Sequence, residues 1–205
     1  MCNNKSQCGG NKLRESKDIS LKHKVNMLYD KIIELKHLQI DNYYCAQLIA
    51  WFDEVINKNI AIYKNRQSEP SCDIEAYKRP RQHVYWVEFG RNVGSEFQDF
   101  HLGVVIHESK HTVTVVPLTS KKKHDPEWIK QNKKSIVDLG VVKGVDLEED
   151  EKECYACVFM LHTVSKKRLS KCKNSEGIKH NVKISDEQMK NICDKIVEIT
   201  YNSSI

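Results

Sequence analysis

Three short apolar runs in the middle of the chain constrain the fold more than any other feature. Residues 84–89, 102–106 and 112–118 are rich in valine, aromatic residues and threonine, and Gly, Asn and Ser residues lie between them. Runs of β-branched and aromatic residues with such boundaries predict short strands of a compact all-β unit. The stretch from His83 to Ser120 is therefore expected to form three consecutive strands.

A long polar loop, Arg91 to Phe100, separates the first two predicted strands. It contains Gly94, which tolerates the positive φ that other residues resist. Polar loops held by a small rigid scaffold are common places for functional side chains. A candidate site is therefore expected around this loop and the strand ends beside it.

The sequences VYWVEFGRNVGSE, GVVI and VTVVPLTS, in that order, resemble the PemK/MazF family of toxin endoribonucleases. Two weaker similarities, FMLHTVSKKRLS and VKISDEQMKNICDKIV, extend the resemblance from Arg81 to about Ile199. It implies a mainly β fold with α, an SH3-like small barrel that ends in a C-terminal helix. It also implies metal-independent cleavage of single-stranded RNA or mRNA, a homodimer, and neutralisation by a cognate antitoxin protein.

Charge and composition are compatible with this expectation without requiring it. The 205-residue chain carries 33 Lys and Arg against 28 Asp and Glu, a net charge of +5. A modest positive excess suits an anionic partner but is also ordinary surface composition. No apolar stretch approaches the roughly 18 residues of a membrane helix, and the first residues lack the apolar core of a signal peptide. A cytoplasmic location without membrane contact is expected.

Eight cysteines raise the question of disulfides or a metal site. Nothing indicates secretion, so disulfides are not expected. Cys154 and Cys157 form a single C-x-x-C within an apolar run, and structural zinc needs two further ligands at comparable spacing. Cys172 and His180 are available but oddly spaced. Buried reduced thiols are therefore favoured over a metal site, and no cofactor is expected.

The chain is predicted to contain a disordered tail (1–18), a helical hairpin extension (19–66), a linker (67–80) and the barrel domain (81–205). In the hairpin, apolar residues recur every three or four positions, which predicts two amphipathic helices, with Asp41 as the cap of the second. A packing appendage is the favoured role of the hairpin. A dimerisation or partner-binding element is the alternative. The apolar faces comprise Leu21, Val25, Leu28, Ile32, Leu35 and Leu38, then Tyr44, Leu48, Trp51, Val55 and Ile62.

The remainder of the barrel domain is predicted from local signals. Asp125 and Pro126 mark a helix start, and Ser185 with Gln188 forms a capping-box pattern before the last helix. That helix has one apolar face, made of Met189, Ile192, Ile196 and Ile199. Strands are expected at 135–142, 154–161 and 182–184, with an acidic loop at 144–153 and a basic turn at 162–169.

Cleavage of RNA without a metal needs a group to take the 2′-hydroxyl proton, a group to protonate the leaving oxygen, and donors to the phosphate. The resemblance implies a threonine at the end of the third strand, which is Thr119. It implies an arginine at the start of the second strand, where this chain has His101. A later Arg-Thr pair of the family corresponds to His162 and Thr163.

The two histidines leave two interpretations open. Arginine offers a permanent charge and a bidentate grip on phosphate, whereas histidine can act as acid or base near neutral pH. His101 and His162 could therefore divide the acid and base roles. Equally, loss of both arginines could weaken or abolish catalysis, which leaves a module of the same fold that binds RNA or a protein partner.

Further candidates for RNA binding flank the same segments. Phe97 could stack on a base or instead fill the core, and Glu96 could contact a base edge or hold the loop. Ser120 could add a hydrogen bond to the phosphate. The complete predicted set is Asn92, Ser95, Glu96, Phe97, Ser120 and Lys121.

Overall fold

A computed structural model describes residues 23–35, 37, 42–67, 78–92, 96–145 and 151–201. The chain divides into two compact units, Met1–Glu69 and Pro70–Ile205. Several predicted features lie outside the described residues: the tail at 1–18, the Asp41 cap, residues 68–77 of the linker, Gly94, Ser95 and the acidic residues 146–150. No helix in the described ranges is long and apolar enough to cross a membrane.

The first unit contains two helices, α1 (residues 23–35) and α2 (Asn42–Gln67). The sulfur of Cys45 on α2 lies 4.0 Å from the Leu35 carbonyl oxygen of α1. The predicted face of α2 is half-buried along its length, from Tyr44 to Ile62. On the polar side of the same helix, Lys58 forms an ion pair of 2.8 Å with Glu54. The predicted pair of helices is thus confirmed for the described residues.

The second unit is mainly β with two helices, as predicted, and all of its strand pairs are antiparallel. The helices are α3 (Glu127–Gln131) and α4 (Asp186–Tyr201). The strands are β1 (His83–Gly90), β2 (Asp99–Glu108), β3 (Thr112–Ser120), β4 (Ile136–Lys143), β5 (Glu151–Cys157), β6 (His162–Ser165), β7 (Leu169–Lys173), β8 (Lys179–His180) and β9 (Val182–Lys183).

The sheet does not close into the predicted barrel by hydrogen bonds. Its order is β4-β5-β3-β2-β1-β7-β8, while β6 pairs with β3 and β9 pairs with β1. Strand β3 is shared: residues 112–115 pair with β6, and residues 118–120 pair with β5. Strands β6 and β7 follow one another along the chain but do not pair with each other, which leaves a gap in the sheet. They are joined only by the 3-10 turn Lys166–Arg168, whose backbone cannot continue a strand ladder.

An ion pair between Lys166 and Glu108 connects the turn at this gap, which we call the seam, to β2. Lys166, in the turn, has a side chain only 5 % exposed, and its ammonium donates to the Glu108 carboxylate of β2. The backbone N–H of Arg79 donates to the same carboxylate oxygen at 2.7 Å. Burial alone would raise the pKa of Glu108, but these hydrogen bonds lower it below its ordinary 4.5. The carboxylate therefore stays ionised beside the lysine.

Alternation along the strands creates two cores, one on each side of the sheet. The first core is covered by α4 through Met189 and Ile192 and includes Val84, Leu102, Val104, Val116 and Leu118. The second core comprises Tyr85, Val87, Phe89, Val105, Val113, Val115, Val164 and Leu169. Because residues two apart share a face, the odd-numbered positions of β1 and β3 belong to the second core.

Gly103 of β2 lies where the second core leaves no room for a side chain. A Cβ atom at this position would stand 2.9 Å from Cγ2 of the buried Val87. We expect Gly103→Ala to lower the free energy of unfolding by about 1–3 kcal/mol, as overpacking does. The same substitution should cost much less in a Val87→Ala background, where the opposing methyl group is absent. Urea unfolding of all four proteins measures this coupling, and an equal cost in both backgrounds would contradict the steric explanation.

The capping box of α4 is confirmed. The Ser185 N–H donates to Gln188 Oε1 at 2.8 Å, and the Gln188 N–H donates to Ser185 Oγ at 3.1 Å. The predicted cap of α3 is wrong: Asp125 makes no cap, and its carboxylate accepts from the Tyr155 hydroxyl at 3.1 Å. The Asp125 carboxylate therefore binds the hydroxyl of Tyr155 on β5 instead of the start of α3.

The strands between residues 151 and 180 differ from the prediction in several places. Strand β5 begins at Glu151 and ends at Cys157, where the 3-10 turn Val158–Met160 follows. The predicted basic turn at 162–169 contains strand β6, and β7 and β8 were not predicted at all. Each of these strands is short and buries few side chains, so its apolar pattern is weak.

The C-x-x-C cysteines are buried free thiols, as favoured from the sequence. Burial raises the pKa of Cys157 to about 12, and that of Cys172 to about 11. The described ranges contain no cluster of three or more potential metal ligands.

Candidate functional site

His101 and Thr119 lie on the same face of the sheet, at the end where β2 and β3 diverge. Their ladder ends at the pair Gly103 and Pro117. His101 and Thr119 each stand two residues beyond that pair, so both belong to the face of the second core. On its other side, His101 pairs with Val87 of β1, which is a member of that core.

His162 joins the same face from β6. It pairs with Val115 of β3, another member of the second core, and Val164 two residues later is also a member. The fold therefore brings the three predicted catalytic residues, which lie 61 positions apart in sequence at most (162 − 101), onto one side of the sheet.

Contacts between aromatic rings connect the two histidines. The His101 ring lies 4.4 Å from the Phe97 ring, and Phe97 lies 5.3 Å from Phe89, centroid to centroid. The Phe89 ring in turn lies 6.0 Å from the His162 ring. All three contacts are edge-to-face, a favourable geometry for aromatic pairs. We call these four side chains the ring row, with one imidazole at each end and the buried Phe89 within.

Burial lowers the pKa of the His101 imidazole below its ordinary value of 6.5. The Asp99 carboxylate and a hydrogen bond with the Gln98 backbone act in the opposite direction without reversing the shift. His101 is therefore neutral at neutral pH and able to accept a proton. Asp99 in turn pairs with Arg91 at 3.1 Å, which offsets its charge.

His162 and Thr119 are half-buried. The Nδ1 atom of His162 lies 3.4 Å from the Met160 carbonyl oxygen. Where Nδ1 carries the proton, Nε2 is left as an acceptor. Thr119 pairs with Tyr155 of β5, which places a tyrosine beside it on the same face.

The polar loop is held by Asn92 rather than left open. Its side-chain amide donates to the Phe97 carbonyl oxygen at 2.6 Å and to the Phe89 carbonyl oxygen at 3.3 Å. These two bonds connect both flanks of the loop and fix the backbone of the ring row. Phe97 packs partly against the second core, while Glu96 is exposed. Ser95 lies outside the described residues.

Ser120 is not brought to the face of the second core, whereas the ammonium of Lys121 is, 5.6 Å from the centre of the Tyr155 ring. Ser120 has the alternation of Leu118, a member of the first core, so it lies on the opposite face from Thr119. The Lys121 ammonium pairs with Asp138 at 2.7 Å and stands 3.8 Å from Glu153. The hydrogen bond from Lys121 lowers the pKa of Asp138 below 3.8 despite partial burial. The charge of Lys121 is therefore compensated by neighbouring carboxylates.

Sequence reasoning missed three residues of this region. Phe89 was interpreted only as a strand residue, although its alternation with Val87 and Tyr85 already marks it as inward-facing. Arg168 donates to the Phe89 carbonyl oxygen at 3.1 Å and so brings a guanidinium group to the ring row. Arg91 approaches from the loop side through Asp99. Both arginines lie beside predicted site segments in the sequence, but only the folded chain shows that they are close to the ring row or to Asp99.

Comparisons with known proteins found one matching family model and several similar solved structures. A family model described as the PemK-like, MazF-like toxin of type II toxin–antitoxin systems matches residues 80–200. Among solved structures, the crystal structure of MazF (Form-I) from Deinococcus radiodurans is 12 % identical, with a TM-score of 0.38, covering 60 % of this chain and 96 % of that one. The Mycobacterium tuberculosis toxin MazF-mt6 is 10 % identical, with a TM-score of 0.35, covering 58 % and 95 %. No curated protein matches the chain.

Proposed function

The chain belongs to the family of PemK-like, MazF-like toxins of type II toxin–antitoxin systems, and from this premise we propose that it is a metal-independent endoribonuclease acting on single-stranded RNA. The observation that carries the proposal is the common face of His101, Thr119 and His162 at one end of the second core. A base, an acid and a hydroxyl donor are the groups that cleavage by internal attack requires.

In the proposed reaction, His101 takes the proton of the ribose 2′-hydroxyl, for which its neutral state at neutral pH is suited. The 2′-oxygen forms a bond to the adjacent phosphorus, and the bond from phosphorus to the 5′-oxygen breaks. His162 donates a proton to that leaving oxygen. The products are a 2′,3′-cyclic phosphate and a 5′-hydroxyl, and the two histidines end in exchanged protonation states that water restores.

Positive charge for the phosphate comes, in this proposal, from Arg91 and Arg168 rather than from position 101. Both guanidinium groups contact the ring row or its neighbour Asp99. Their permanent charge stabilises the negative charge that develops on the phosphate oxygens. Thr119 adds a hydroxyl donor from the neighbouring strand. Arg91, which pairs with Asp99, and Lys121, which pairs with Asp138, each carry a positive charge that a carboxylate partly offsets.

Family membership also supports two partners. A cognate antitoxin protein would bind and neutralise the toxin, and the toxin would work as a homodimer. Both partners are proposed from family membership alone. We also propose that the polar loop determines which RNA sequence is cut. Phe97 and Glu96, at the loop's end, are the side chains proposed to contact the bases.

A second candidate function is RNA binding without cleavage. The observation that favours it is chemical: histidine stands at the position where the resemblance implies arginine, and the charge of Lys121 is paired with Asp138. Such a module would bind RNA in a salt-sensitive manner and leave it intact.

The test is incubation of purified protein with a long RNA of mixed sequence, in the presence of a chelator. We expect fragments with 5′-hydroxyl ends, and a Thr119→Val variant slower by about 100-fold, the usual effect of losing one donor to developing charge. Thr112→Val, at the other end of β3, is the matched control and should cleave normally. Intact RNA at every pH would reject the enzyme, and binding without cleavage would establish the second candidate.

A further inference from the structure

Helix α2 carries a second apolar stripe that no described residue of its own unit covers. Its members recur at spacings of three and four residues and lie within one narrow arc of the helix. They are between 45 and 66 % exposed. This stripe is distinct from the half-buried face that includes Leu48 and Trp51, and it was not recognised from the sequence. Its residues are Ile49, Phe52, Ile56, Ile60 and Tyr63.

Helix α1 extends the stripe onto a second helix. Val25, Tyr29 and Ile33 follow one another four residues apart, and they are between 37 and 64 % exposed. Ile33 and Ile49 line the same groove of about 320 Å³ between the helices. The two stripes therefore meet, and together we call them the hairpin strip.

The hairpin strip is too large to be incidental surface. At roughly 200 Å² for a large side chain, eight half-exposed side chains leave on the order of 800 Å² of apolar surface. A stable interface between two proteins buries about 800 Å² on each partner. The strip alone thus supplies one side of a standard interface.

We infer that the hairpin strip is a self-association surface, on which the hairpin of a second copy of this chain packs to form a four-helix bundle. Two helices with one free apolar face are half of such a bundle, and the three-and-four spacing is that of helix-packing seams. None of the eight side chains is charged, so a charged partner finds no complement there. An identical apolar strip, related to the first by a two-fold axis, is complementary to it.

The first test is the mass of the full-length chain by sedimentation and light scattering over a wide concentration range. Phe52→Lys/Ile56→Lys places two charges in the strip, and Ala50→Lys/Ala61→Lys places two charges on exposed positions of α2 outside it. The expected result is a lower mass for the first variant than for wild type across the dilution series and an unchanged mass for the second, with equal helix content. Equal masses for all three proteins would overturn the inference.

A second measurement separates this surface from the family-type homodimer of the toxin domain. A photo-cross-linking residue at position 60, in a mixture of isotopically light and heavy chains, should join hairpin peptides of two different chains. Cross-links confined to one chain, or directed to residues 78–201, would mean that the toxin domain covers the strip and would reject the inference. RNA cleavage by the Phe52→Lys/Ile56→Lys variant is scored separately, so failure of either proposal is recognised on its own.

Discussion

Replacing His101 with alanine should reduce the rate constant for RNA cleavage by about 100- to 10,000-fold, the usual contribution of a general base. The reason is that partial burial lowers the pKa of the proposed base, His101, and so favours its neutral imidazole. His101→Arg should be almost as slow, because arginine cannot accept a proton. Single-turnover kinetics on a fixed RNA measure both variants.

The pH dependence follows from the direction of the shift. Since the pKa of His101 lies below 6.5, the acidic limb of wild-type kcat/KM should lie beneath that value, and it should disappear in His101→Arg. Folding favours the neutral imidazole, so stability is also fully present above 6.5 and is lost as the pH falls through the lowered pKa.

His107→Ala is the control for this prediction. His107 is an exposed residue of the same strand, and its ring contacts only the Ser109 hydroxyl, at 3.4 Å, among its described hydrogen bonds. It should cleave at the wild-type rate. If His101→Arg were as active as wild type, permanent charge rather than proton transfer would be the role of position 101, and the assignment of His101 as the base would fail.

Replacing Phe89 with alanine should lower the free energy of unfolding by about 3–5 kcal/mol, as large-to-small core substitutions do. Phe89 is among the most deeply buried large side chains, and its ring contacts both Phe97 and His162. The variant loses core contacts and, at the same time, the support between the two imidazoles. Urea unfolding followed by tryptophan fluorescence measures the first effect, and cleavage below the melting transition measures the second.

Phe100→Ala supplies the matched control for Phe89. The two residues are the same type, yet Phe100 is 55 % exposed on β2. It should change the free energy of unfolding by less than about 0.5 kcal/mol. Comparable losses for both phenylalanines would mean that the second core does not depend on the ring row.

Much of the fold was predictable because its signals are local. Runs of β-branched and aromatic residues predict strands β1 to β4, and the capping box of Ser185 and Gln188 predicts the start of α4. Strands β7 and β8 were missed because only Leu169 and Cys172 are buried in them and most of their other residues are lysines, a pattern that fits a loop equally well. Barrel closure failed as a prediction because a 3-10 turn, which no local pattern marks, interrupts the last edge.

The site was predictable only in part, for a related reason. The resemblance identified His101, Thr119 and His162, and strand alternation in the structure places all three on one face. The fates of Asn92, Ser120 and Lys121 depend on partners distant in sequence, such as Asp138 for Lys121. Which hydrogen bonds a polar side chain makes is decided by tertiary packing, and a single sequence carries little of that information.

Because of the seam between β6 and β7, the sheet holds the two histidines of the proposed site with unequal stability. Strand β6 is hydrogen-bonded along its length only to residues 112–115, whereas His101 stands on β2, which has a partner strand on each side. Partial opening that frays β6 therefore costs less than unfolding the sheet. His162 is the first residue of β6, so it leaves its place while His101 stays. Fraying of β6 therefore gives a state that keeps the fold and the proposed base, His101, but lacks the proposed acid, His162.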